Sequence, residues 1–266
     1  MSFLADMVAR RTARIAAEYG ELAAADRERL VACARPVRDF EAALRERADI
    51  AVIAEVKKAS PSVGPIAPEC EASKQALHYQ DGGAAAISVL TEPESFGGSF
   101  GDLSDVADAV DIPVLCKDFV VDPVQLFVAR GHGADAVLLM VNVLGEETAS
   151  YIDLAATLGL TPLVEVVSAE GLAIALAAGA RVIAVNSRDL HTLHVDVTGA
   201  RELVADAARR GATVVAASGV RSRADVEAAG AAGARAVLVG ELLMRAEFPE
   251  DVLEVLTGVG VRPVTG

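Results

Sequence analysis

Between residues 50 and 239 the chain repeats one alternation eight times: a short apolar, β-rich run, a loop, then an alanine-rich stretch with helical spacing. The runs fall at 50–56, 85–90, 113–116, 136–141, 162–166, 182–185, 213–216 and 236–239. Strands that alternate with helices of this length form βαβ units, and their strands lie parallel. A glycine–alanine pair precedes the run at Gly83, Gly133, Gly179 and Gly233, at intervals of 50, 46 and 54 residues, as if a two-strand module occurred four times. Glycine suits that place because a helix C-terminus commonly ends in a residue with positive φ. Eight such units close into a (β/α)8 barrel. An open doubly wound sheet would carry a Gly-x-Gly-x-x-Gly turn after the first strand, and none is present there.

Residues 1–48 contain no strand candidate. Apolar residues recur at spacings of three and four around Phe3, Leu4, Met7, Val8 and Ile15, with arginines between them, which predicts a helix. The expected fold is therefore α/β, a TIM barrel over 49–266 with an N-terminal helical extension over 1–48 packed on it. Aromatic content is 4% with no Trp, so Ala, Val, Leu and Ile must build the core. A net charge of −14 argues against a nucleic-acid partner, which needs a basic surface. No apolar run reaches the ~18 residues of a membrane span, and no apolar segment precedes the first arginines, so neither a membrane partner nor a signal peptide is expected. Cys33, Cys70 and Cys116 are far apart and read as free thiols in a reducing cytoplasm.

In such barrels the active site lies at the C-terminal ends of the strands. Those ends carry Glu55 and Lys57 (first), Lys117 (third), Glu165 (fifth), and Asn186 and Arg188 (sixth). The chain has four lysines against 20 arginines, and only lysine can readily give up its proton when buried. Glu55 and Lys57 are two apart and leave the same face of a strand. With Lys117 and Glu165 they can share one cavity, where neighbouring charges shift one another's pKa values in opposite directions. The alternative for any one pair is a rim salt bridge. Ser218-Gly219 and Gly240-Glu241 end the last two strands, where small residues let backbone N–H groups approach a phosphate. His191 and His194 are one helical turn apart, but no Cys or third His completes a metal set. Cys116 should face away from Lys117 as a small core residue.

The chain resembles the indole-3-glycerol phosphate synthase family. The similarity lies in IAEVKKASPS at 53–62, SVLTEPESFGGS at 88–99, PVLCKDF at 113–119, PLVEV at 162–166, VNSRDL at 185–190, ASGV at 217–220 and VGELLMR at 239–245. It covers nearly the whole chain, and the helical extension fits too. The resemblance implies closure of 1-(2-carboxyphenylamino)-1-deoxyribulose 5-phosphate to indole-3-glycerol phosphate, with loss of CO2 and water and with neither cofactor nor metal. It implies Lys117 as general acid on the ribulose carbonyl and Glu165 as general base. Lys57 would steer the substrate carboxylate or act as second acid, and Glu55 would orient and balance it. Asn186 would hydrogen-bond a substrate hydroxyl, and Arg188 and Ser60 would sit near the anthranilate end. Phe96 would line the aromatic pocket. Ser218, Gly219, Gly240 and the backbone of Glu241 would hold the phosphate. The only partner expected is this phosphorylated small molecule, bound by a monomer or weak homo-oligomer.

Two positions depart from the family pattern. The resemblance calls for Ala-Glu-Ser-Gly at the end of the seventh strand, where this chain has Ala216-Ala217-Ser218-Gly219. With one anion fewer, the lysines should be less favoured as cations, and a catalytically impaired or repurposed paralogue becomes the alternative. Leu242 stands where many members carry a small hydroxyl residue. A phosphoribosylanthranilate-type isomerase on the same barrel would be expected to place Cys or Asp at the end of the first strand instead of Glu55.

Overall fold

A computed structural model describes residues 3–189 and 195–261 of the chain. The eight runs form strands β1 (Ala51–Val56), β2 (Ala86–Leu90), β3 (Val114–Lys117), β4 (Ala136–Met140), β5 (Thr161–Val166), β6 (Val182–Asn186), β7 (Thr213–Ala217) and β8 (Ala236–Val239). All neighbours pair in parallel, and β1 pairs with both β2 and β8, so the sheet closes on itself. Helices connect the strands on the outside, giving the (β/α)8 barrel expected from the alternation.

Side-chain alternation divides the core in two. Outward residues such as Val52, Val89, Cys116, Val164 and Ile183 pack under the surrounding helices, whereas Ile53, Leu115, Leu138, Leu163, Ala184 and Val215 fill the barrel. Cys116 thus faces away from the interior, as expected. Gly83, Gly133, Gly179 and Gly233 all have positive φ, but so do Gly159 and Gly211 before β5 and β7. The same tight entry therefore precedes six strands. With Gly159 and Gly211 in the set, the expected two-strand period gives way to a feature of nearly every strand entry.

Before the barrel come helices α1 (Phe3–Tyr19), α2 (Ala24–Ala32) and α3 (Phe40–Arg45). Asp39 caps α3 by accepting from the Ala42 N–H at 2.9 Å, and the helix brings Phe40 and Leu44, both fully buried, against the inner cluster. Their partners there include Ala51, Ala86, Ala136, Val182 and Ala236, the first residues of their strands, so α3 closes the lower end of the barrel. Helix α1 lies at the other end, where Ser95 Oγ meets Met7 Sδ at 3.1 Å and Arg10 pairs with Glu94 at 3.2 Å. No helix among the described residues is long and apolar enough to cross a membrane.

Candidate active site

The strand ends open into a cavity of about 350 Å³, a volume suited to a small ligand. Each expected site residue lines it: Glu55, Lys57, Ser60, Phe96, Lys117, Glu165, Asn186, Arg188, Ser218, Gly219, Gly240 and Glu241. His191 and His194 lie outside the described residues.

Glu55 sits at the centre of the charge network. It is almost fully buried, and its Oε1 lies 2.9 Å from Lys57 Nζ while its Oε2 lies 3.5 Å from Lys117 Nζ. Burial pushes its carboxyl up, but the two ammonium groups and their hydrogen bonds outweigh this and hold it below the ordinary glutamate range. Burial alone would lower the pKa of Lys117, yet Glu55 and Glu165 together raise it above the usual lysine value. Even with alanine at 217, the two carboxylates present favour Lys117 as a cation. Glu165 goes the other way. Burial raises its pKa, Lys117 and a hydrogen bond from Asn186 offset only part of that, and Glu55 adds to the rise. One cavity thus holds a cation with a firmly held proton and a carboxylate with enhanced proton affinity, the pairing that acid–base chemistry needs.

Beside this network lie the turns after β7 and β8. Ser218 has φ 65° and is the only non-glycine residue with positive φ among the described residues; Gly219 follows with φ 81°. Such a conformation costs a residue with a Cβ roughly 1–2 kcal/mol, and strain of this kind clusters at ligand sites. Gly240 allows another close approach, since a Cβ there would lie 2.5 Å from Glu55 Oε1. Glu241 starts a short helix at the cavity rim, and its carboxylate accepts from Arg245 Nε at 3.0 Å.

The third wall is apolar. Glu92, buried, accepts from the N–H groups of Glu94, Ser95 and Phe96 at 2.9, 2.7 and 3.2 Å and so fixes the turn that carries Phe96. The Phe96 and Phe119 rings are 6.2 Å apart and inclined at 43°. Leu90, Leu138 and Met140 extend this surface. The sequence reading did not single out Phe119 or these three, because an inward apolar residue near a strand end has the same local pattern as core. Phe119 was the most accessible of them, two residues beyond Lys117. Ala217 is 5% exposed, lies beside Asn186 in register and leaves that part of the wall without a carboxylate.

The family profile described as indole-3-glycerol phosphate synthase matches residues 4–256. The chain belongs to the indole-3-glycerol phosphate synthase family. It is 46% identical over 252 residues to the indole-3-glycerol phosphate synthase of Mycobacterium avium, covering 94% of this chain and 92% of that one. Indole-3-glycerol phosphate synthase 1 of Streptomyces coelicolor is 44% identical over 264 residues, covering 99% and 97%. Among solved structures, thiamine phosphate pyrophosphorylase from Pyrococcus furiosus superposes with a TM-score of 0.61 at 16% identity, covering 82% of this chain and 96% of that one. That likeness is one of fold alone. Membership of the indole-3-glycerol phosphate synthase family agrees with the fold, the enzyme class and the pathway that the sequence motifs implied.

Proposed function

We propose that this protein closes the indole ring of 1-(2-carboxyphenylamino)-1-deoxyribulose 5-phosphate, releasing CO2 and water to give indole-3-glycerol phosphate. The carrying observation is the convergence of Lys57, Lys117, Glu55 and Glu165 on one cavity in a chain of this family. The aromatic carbon that bears the carboxylate attacks the ribulose carbonyl. Lys117 donates a proton to that carbonyl oxygen as the carbon–carbon bond forms, and its raised pKa keeps it charged for the task. Loss of CO2 follows, with Lys57 placed to hold the departing carboxylate.

The second half expels the new hydroxyl as water and removes a proton to restore aromaticity. Glu165 accepts that proton, and either lysine can return one to the leaving oxygen. Glu55 bridges the two ammonium groups and keeps both oriented. Asn186 holds a ribulose hydroxyl, and Arg188 and Ser60 hold the anthranilate end against Phe96. Ser218, Gly219, Gly240 and the Glu241 backbone take the phosphate. The chemistry is acid–base throughout and draws on no cofactor or metal. The acidic chain acts in the cytoplasm on a free phosphorylated substrate, as a monomer or weak homo-oligomer, without nucleic acid or membrane.

The test is a fluorescence assay of indole formation by purified protein, with CO2 measured in parallel. Equal amounts of indole product and CO2 are expected. Binding of the substrate without either product would refute the activity.

A further inference from the structure

The mechanism above leaves one fully buried ion pair unused. Arg11 of α1 and Asp118 have side chains only 2% and 1% exposed. The guanidinium engages the carboxylate through two donors, Nε to Oδ1 at 2.9 Å and Nη2 to Oδ2. Asp118 also accepts from Thr91 Oγ1 at 2.7 Å and from the Phe119 N–H at 2.8 Å. Its carboxylate therefore joins three parts of the chain: the N-terminal helix, the end of β2 and the loop after β3. The Arg11 guanidinium lies 5.9 Å from the Phe100 ring centroid, and Tyr19 of the same helix packs edge-on against that ring at 6.1 Å. Arginine at this point is held from every side.

What matters is where Asp118 stands. It lies between Lys117 and Phe119, and all three residues line the cavity. Alternation along the strand sends Leu115 inward and Cys116 outward, so Lys117 points in while the Asp118 carboxylate turns to α1. A buried ion pair is weak evidence for stability, because an apolar pair of similar volume is often as stable or more so. A two-point arginine fork gives fixed geometry instead. Burial tends to neutralise Asp118, and Arg11 is the largest influence opposing that.

We propose that Arg11 is a positioning residue for the reaction: through Asp118, the N-terminal helix holds the 117–119 segment so that Lys117 meets Glu55 and Glu165 in working geometry. The helix is then part of the catalytic apparatus as well as a cover for the barrel. This rests on Lys117 being the general acid of the proposed function.

The test compares the full-length protein with Arg11→Met, Arg11→Lys, Asp118→Asn and the apolar double variant Arg11→Met/Asp118→Leu. Each is assayed for kcat and KM, for binding of inorganic phosphate as a probe of the β7–β8 turns, and for Tm. Misplacing a reacting group by about 1 Å can cost about 10²-fold in rate. The expected result is a fall in kcat of about 10–100-fold in the folded double variant, with phosphate affinity and Tm near those of the parent. Arg11→Lys should recover part of the loss, because it keeps the charge without the fork. A double variant that folds and turns over at the parental rate overturns the proposal. If the double variant does not fold, Arg11→Lys and Asp118→Asn decide: parental kcat in both overturns it, and reduced kcat at unchanged phosphate affinity supports it. An inactive parent, or a parent indifferent to Lys117→Ala, would instead strike the proposed function itself.

Discussion

Gly240 backs onto Glu55 so closely that a Cβ at position 240 would lie 2.5 Å from Glu55 Oε1. The same atom would be 3.0 Å from Lys57 Nζ. The turn proposed to hold the phosphate and the charge network are therefore in direct contact. Gly240→Ala should push Glu55 away from its two lysines and lower kcat by about 10²-fold, while overpacking costs about 1–3 kcal/mol of stability. Steady-state kinetics and a thermal melt check this. Parental kcat would show that the Glu55–Lys57 contact is dispensable.

Lys117→Ala removes the proposed acid and Glu165→Gln the proposed base. Each should lower kcat by about 10²–10⁴-fold. KM should change far less than kcat if each group acts on the reacting atoms and not on substrate binding. Stopped-flow fluorescence of indole formation separates binding from turnover.

The pH profile should report both groups. As the proposed base, Glu165 would work as a carboxylate, and its pKa is raised, so the acid limb of kcat/KM should lie above the ordinary glutamate range. The Asn186 hydrogen bond lowers that pKa, so Asn186→Ala should move the acid limb to higher pH. Lys117 works as an ammonium; burial depresses its pKa, but Glu55 and Glu165 raise it further than that. Glu55→Gln removes one of the raising charges, so the alkaline limb should move to lower pH. Opposite movement of either limb would exclude the corresponding assignment.

Ala217 faces the cavity beside Asn186, where a carboxylate would join the layer of Glu55 and Glu165. Ala217→Glu should raise turnover by supplying a second proton acceptor. A fall in kcat would mean that the remaining groups are tuned to alanine. Rates at several pH values make the comparison.

Ser218 trades stability for contact. Ser218→Gly relieves its positive φ and should gain roughly 1 kcal/mol, or about 2–4 °C in Tm. Loss of the hydroxyl should raise KM by about tenfold or more, as expected for a hydrogen bond to a charged group. Calorimetry and kinetics on one preparation test both.

Most of the barrel was legible because its strands are buried on both faces and stand out as apolar runs between alanine-rich helices. The strand-end residues were legible for a related reason: Glu55, Lys57, Lys117 and Glu165 are charges where the pattern calls for core. Phe119, Leu138 and Met140 carry no such contrast. Arg11 is one of 20 arginines, and its partner lies 107 residues away, a separation no local period encodes.

Phe40 and Leu44 stopper the lower end of the barrel, and packed side chains fill the space between them and the charged layer. Traffic through the cavity is accordingly blocked at the lower end. Carbon dioxide, water and the finished indole must depart on the same side of the barrel from which the substrate arrived, so turnover cannot run as a flow from one face to the other. Whatever narrows that upper face slows entry and exit alike.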